Sequence, residues 1–165
     1  MMLIKDKAQI DAEAVRRKYW DGTFPVDPIM IASKMKTRSY LSQGMGDDSG
    51  LIIKKRGERR AEIYLNGFES KARQRFTCAH EIGHLVERRQ NGDDEYSFTD
   101  KRSGRADNPH EWYADHFAAN LLMPQAEFER MVEERGAGLG ELVDHFGVSR
   151  SAVITRARLL GVGIG

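Results

Sequence analysis

Apolar residues recur at near-helical spacing over residues 6–20, where Ile10, Ala14, Val15 and Tyr19 share one side of a charged stretch, and this predicts an N-terminal helix. Gly22, Thr23, Phe24 and Pro25 end it. Asp27-Pro28 starts a second, short helix, with Pro28 in the first turn and Ile29, Ile31, Ala32 and Met35 as its apolar positions. A loop containing Gly44, Gly46, Asp47, Asp48 and Gly50 follows. Leu51-Ile52-Ile53 and residues 61–66 read as two strands, joined through a turn at Arg56-Gly57-Glu58 into a hairpin. Ser70 caps a long helix running to about residue 89. Residues 91–109 hold Gly92, Gly104, Pro109 and many charges, show no period, and read as a long loop of the kind that carries function. The stretch 111–122 is strongly helical, with Ala114, Phe117, Ala118 and Leu121 on one face. Met123-Pro124 breaks it, 125–135 resumes as helix, Gly136, Gly138 and Gly140 form a joint, and two short helices close the chain. The expected division is a domain over 1–135 and a helical segment over 136–165 packed on it.

Composition narrows the class. The chain has 165 residues, 40% of them hydrophobic and 31% charged, enough to bury a core. A net charge of +1 argues against a dedicated polybasic nucleic-acid binder. One cysteine, Cys78, excludes an internal disulfide framework and a four-cysteine zinc site. There is no apolar run of transmembrane length and no secretory apolar region near the start, so the expectation is a soluble cytoplasmic protein without membrane contact.

The chemistry concentrates in His80-Glu81-Ile82-Gly83-His84, an H-E-x-x-H sequence that chance would place in a chain of this composition roughly one time in a hundred. Two histidines at i and i+4 lie one helical turn apart on the same face, so both imidazoles reach one ion. Glu81, about 100° around the helix, flanks that ion and can take a proton from a water there. Gly83 keeps the helix slim enough for another element to approach closely. A catalytic zinc needs a third protein ligand. Glu111 is one candidate, with Asp115 one turn on to accept the N–H of a ligand imidazole. His110 and His116 serve equally well by chemistry, and spacing does not choose among them.

Residues 73–84, Arg-Gln-Arg-Phe-Thr-Cys-Ala-His-Glu-Ile-Gly-His, resemble the R-Q-R-F-T-x-A-H-E-[LI]-G-H signature of the ImmA/IrrE family of metallo-endopeptidases. Residues 111–124, from Glu111 to Met123-Pro124, are similar to that family's E-x-x-A-[ND]-x-F-A-x-x-L-L-M-P, and Pro25-Val26-Asp27-Pro28 to its N-terminal P-V-D-P. The resemblance spans about residues 10–160. It implies an α+β, minimal thermolysin-like zincin with helices around a small, mostly antiparallel sheet. It also implies His80, His84 and Glu111 as metal ligands, Glu81 as catalytic base and Asp115 as the partner of a ligand histidine. Zinc is the expected ion, with manganese the alternative in the cell. Family members cleave Xre-type helix-turn-helix repressors, switching on stress or mobile-element genes, and some sit in toxin–antitoxin-like pairs; such a repressor is the substrate the resemblance implies.

Other residues carry weaker expectations. Cys78 lies about 160° around the helix from His80 and reads as a small core residue. Trp112 is a candidate wall of the site, and Tyr64 and Tyr113 are better read as structural than as oxyanion helpers. An extended substrate is expected to add to an exposed edge of the 61–66 strand, at Ile63, Tyr64 and Leu65. Residues 142–153 read as a helix-turn-helix, turning at Gly147 and capped by Ser149, with Arg150 and Arg156 as candidate phosphate contacts. Three arginines against Glu141 and Asp144 after residue 139 are thin support for DNA binding. Two alternatives to the peptidase therefore stand: a DNA-binding regulator with a structural metal, and an antitoxin-like partner with a silent site.

Overall fold

A computed structural model describes residues 1–102 and 107–165. The chain runs α1 (Ile4–Tyr19), α2 (Pro28–Lys34), β1 (Thr37–Ser42), β2 (Asp48–Lys54), β3 (Ala61–Asn66), α3 (Lys71–Gln90), β4 (Tyr96–Lys101), α4 (Pro109–Leu122), α5 (Gln125–Glu129), a π-helical turn (Arg130–Glu134), α6 (Leu139–Phe146) and α7 (Arg150–Leu160). This is an α+β architecture whose sheet has the order β1-β3-β2-β4. β1 runs parallel to β3, and the β2–β3 and β2–β4 pairs are antiparallel.

The helices begin where side chains satisfy their first N–H groups. Asp27 accepts from the backbone N–H groups of Ile29 and Met30, Ser70 from Arg73, and Ser149 from Ala152. Asn108 accepts from the N–H groups of His110 and Glu111, fixing the first turn of α4 beside the residue that matters most there.

α3 occupies the centre. It packs against β2 and β3 on one side and α4 on the other, so every residue from Thr77 to Val86 is buried. A helix buried all round needs close neighbours, and two glycines supply them. A Cβ on Gly83 would stand 3.0 Å from Ala114 Cα, which places the backbones of α3 and α4 in near contact. A Cβ on Gly50 of β2 would stand 2.3 Å from Thr77 Cγ2 and 3.2 Å from Glu81 Oε1. Gly83 thus has the role its place in the motif predicts.

Three expectations change. The 61–66 strand has the predicted bounds, but β3 lies between β1 and β2 and is hydrogen-bonded on both sides. Ile63, Tyr64 and Leu65 therefore offer no edge to a substrate; the sheet edges are β1 and β4. The supposed loop at 91–109 contains β4, whose alternate residues Tyr96, Phe98 and Asp100 turn inward while Ser97 and Thr99 are exposed. Gly104 of that loop lies outside the described residues. β1 was also hidden, because as an edge strand with Arg38, Tyr40 and Leu41 exposed it carries no apolar alternation.

α6 and α7 share the hydrophobic core. Phe146 stacks on Phe128 with ring centroids 5.7 Å apart, and Arg75 donates to the Gly147 carbonyl at 2.5 Å. Gly147 ends α6 at φ 63°, a left-handed turn that glycine adopts without strain. Arg156 is a correction: it is 5% exposed, donating from Nε to the Met123 carbonyl at 3.1 Å and from Nη2 to Asn120 Oδ1 at 3.0 Å, so it is not on an exposed helix face that could lie along a DNA backbone. Arg150 is exposed. Among the described residues no helix is long and apolar enough to cross a membrane.

Candidate metal centre

The two motifs meet where α3 crosses α4. His80 and His84, one turn apart on α3, bracket the Glu111 carboxylate from α4. His80 Nε2 is 2.9 Å from Glu111 Oε2, and His84 Nε2 is 3.2 Å from Glu111 Oε1. All three side chains are buried. One ligand atom from each of His80, His84 and Glu111 lies within 4.8 Å of the other two, close enough for all three to reach one ion. Two imidazole nitrogens and a carboxylate oxygen are also the donor chemistry of a catalytic zinc. The cluster fits a metal site.

The electrostatics agree with that fit. Burial pushes the His84 imidazole below its ordinary value, against the pull of the Glu111 carboxylate, which favours the neutral ring a metal requires. Burial works against the charge on Glu111. The hydrogen bonds with His80 and His84 overcome it and hold the carboxyl far below the usual range, as an anion.

The supporting residues come from three elements. Asp115 Oδ1, one turn after Glu111, lies 2.9 Å from His80 Nδ1 and so fixes which nitrogen faces the cluster. The Phe98 ring of β4 lies flat on His84, with centroids 4.1 Å apart and planes at 3°. Glu81 is fully buried beside the cluster, and the close approach at Gly50 gives its carboxylate room.

β4 also brings in a residue that the pattern did not single out. Asp100 is buried and offers a carboxylate oxygen within 4.8 Å of donor atoms on both His80 and Glu81. The signal was there: Asp100 is the third inward position after Tyr96 and Phe98, where a strand would ordinarily place an apolar side chain.

The remaining candidates stand apart. His110 turns outward to Glu87, with Nδ1 2.8 Å from Oε1, and His116 is not among the clustered donors. Tyr113 donates to Asp11 at 2.6 Å, and Tyr64 to Glu62 at 3.0 Å while its ring stacks on Tyr40; both are structural. Cys78 is buried, and burial pushes its thiol pKa up. Trp112 is 46% exposed and donates its indole N–H to Asp107.

No curated protein matches the chain. Residues 34–158 match the family model described as the IrrE N-terminal-like domain, Peptidase M78. That span includes the sheet, α3 and α4 with all the clustered donors, and most of α7. The chain belongs to the IrrE N-terminal-like family of metallopeptidases.

Proposed function

We propose that the protein is a zinc-dependent endopeptidase in which His80, His84 and Glu111 hold the ion and Glu81 is the general base. The observation that carries this reading is the convergence of Glu111 on both Nε2 atoms, with Glu81 on the intervening turn of α3. When bound, zinc lowers the pKa of a water to about 7 and polarises a peptide carbonyl. Glu81 takes the proton of the attacking water and returns it to the leaving amine. Asp115 keeps the His80 ring in the tautomer that presents Nε2. Phe98 keeps the His84 face dry.

The substrate strand adds to β4, which among the described residues pairs only with β2 and carries Phe98 and Asp100 against the site. Residues 136–165 act with the peptidase domain and wall its groove. The inward hydrogen bonds of Arg156 favour this over a DNA reader. By family resemblance the substrate is an Xre-type helix-turn-helix repressor.

Incubating the zinc-loaded chain with the repressor encoded beside its gene tests the reading. Cleavage should occur with the wild type and fall ~10²–10⁴-fold in Glu81→Gln, which keeps shape but cannot accept a proton. Equal rates from Glu81→Gln with metal bound would remove Glu81 from the reaction. An intact repressor would remove that substrate.

A further inference from the structure

A cavity of about 490 Å³ opens between α3, α4 and α7. Phe76, Met123 and Leu159 give it an apolar wall, Arg73 and Arg156 give it charge, and Asp115 separates it from the metal cluster. Arg156 is unusual in this setting. It is almost wholly buried, and among the described residues it forms no ion pair. Its bonds to Met123 and Asn120 use two of the five N–H donors of a guanidinium.

The surroundings do not balance its charge. Burial first, and the nearby Arg16 second, push the Arg156 pKa down to about 10, with Glu129 opposing, so it remains a cation at neutral pH. Arg73 is a second, half-buried cation: its Nε is buried and, among the described residues, has no hydrogen-bond partner, and Nη2 donates to the Ser49 hydroxyl at 3.3 Å. Asp115 is the acid on this wall, and it is engaged by His80 Nδ1. A smaller cavity, about 230 Å³, meets the first at Arg156, His116 and Leu159 and adds Lys5 and Asp6. Buried cations without anions are costly, and an arginine fork matches a carboxylate in geometry.

We infer that this groove is a recognition site for a carboxylate carried on an apolar body, with Arg156 as the main anion contact and Arg73 beside it. The carboxylate belongs either to a substrate residue near the scissile bond or to a free small acid. The substrate alternative rests on the endopeptidase reading; the binding of the group does not.

Methyl NMR of Met123 and Leu159 in the zinc-loaded full chain, titrated with 3-phenylpropionate and with its neutral analogue 3-phenylpropionamide, tests the site. The acid should bind about tenfold or more tightly than the amide, moving both methyl sets and weakening with salt. Arg156→Met should erase that preference. Because Arg156→Met also removes buried hydrogen bonds, Leu159→Glu at an exposed position provides a second test. It removes an apolar contact from both ligands but sets an anion at the mouth, so read at the Met123 methyl it should weaken the acid severalfold more than the amide. Equal affinities for acid and amide, unmoved groove methyls, or an acid preference that survives both substitutions would overturn the inference.

Digestion of a peptide pool then identifies the source. Enrichment of Asp or Glu within two residues of the cut, lost in both variants, assigns the carboxylate to the substrate. Groove binding without such enrichment assigns it to a free acid. A pool left uncut by the wild type would count against the endopeptidase, while the titration would still decide the groove.

Discussion

The α3–α4 and α6–α7 helix pairs share one core but use their inward polar residues differently. In α3–α4 the inward groups meet one another: two imidazoles, the Glu111 carboxylate and Asp115 are linked by mutual contacts. In α6–α7 the inward charge, Arg156, meets a backbone carbonyl and an amide and forms no ion pair among the described residues. The first arrangement fits an ion by complementary donors. The second holds a cation at the wall of a groove. Spacing tells which residues share a face, but whether that face points inward is decided by the apolar residues beside it.

Substitutions sharpen that contrast, and the largest effect belongs to the linked set. His84→Ala removes one of three donors and should lose bound metal and activity together, measured as zinc content by mass spectrometry beside a cleavage assay. Zinc retained at one per chain in this variant would take His84 out of the ligand set. Asp115→Asn keeps the carbonyl oxygen but weakens the orientation of His80, and should cost ~10–100-fold in metal affinity by competition with a chelator. An unchanged affinity would make Asp115 a residue of the groove alone.

The helix contact is the next target. Gly83→Ala should destabilise the fold by about 1–3 kcal/mol, because the new Cβ presses on the backbone of α4 rather than on a side chain that can move. Thermal unfolding reads this directly, and the metal affinity should fall with it as Glu111 is pushed away.

The smallest effect concerns acid. His84 is held below its ordinary value by burial, so the metal-free fold binds fewer protons than the unfolded chain. Its contribution is fully present above the unfolded value of about 6.5 and is lost as pH falls through the lower folded value. The melting temperature of the metal-free protein should therefore fall from pH 7 to pH 5, and less so in His84→Gln. Identical pH profiles would mean that other groups carry the acid sensitivity.

Much of the helical frame was legible because its signals are local. Ser70, Asp27 and Ser149 cap helices that begin one residue later, and the i, i+4 histidines share a face by helix geometry alone. The strands divided along a physical line. β2 and β3 contribute Ile52, Ile63 and Leu65 to the core and showed as apolar runs. β1 and β4 lie at the edges, where half or more of the positions face outward and propensity is weak.

Strand order is a non-local property, which is why the 61–66 strand could be bounded correctly and still be assigned the wrong neighbours. Asp100 was missed because a lone carboxylate in a charged stretch looks like a solvated residue. Arg156 had a readable cue: with Val153 and Ala157 it falls at i+3 and i+4, inside the buried stripe of its own helix.

The near contact of α3 and α4 at Gly83 has a thermodynamic consequence. The donors of the proposed site come from two helices packed together, so on that reading folding rather than the ion should organise the cluster. Little conformational entropy is left for binding to remove. Ion release and uptake would then be reversible ligand exchange on a standing scaffold, unlike small zinc modules that unravel with their metal. A chelator should silence this protein while leaving its circular dichroism intact, and added zinc should restore it without a refolding delay.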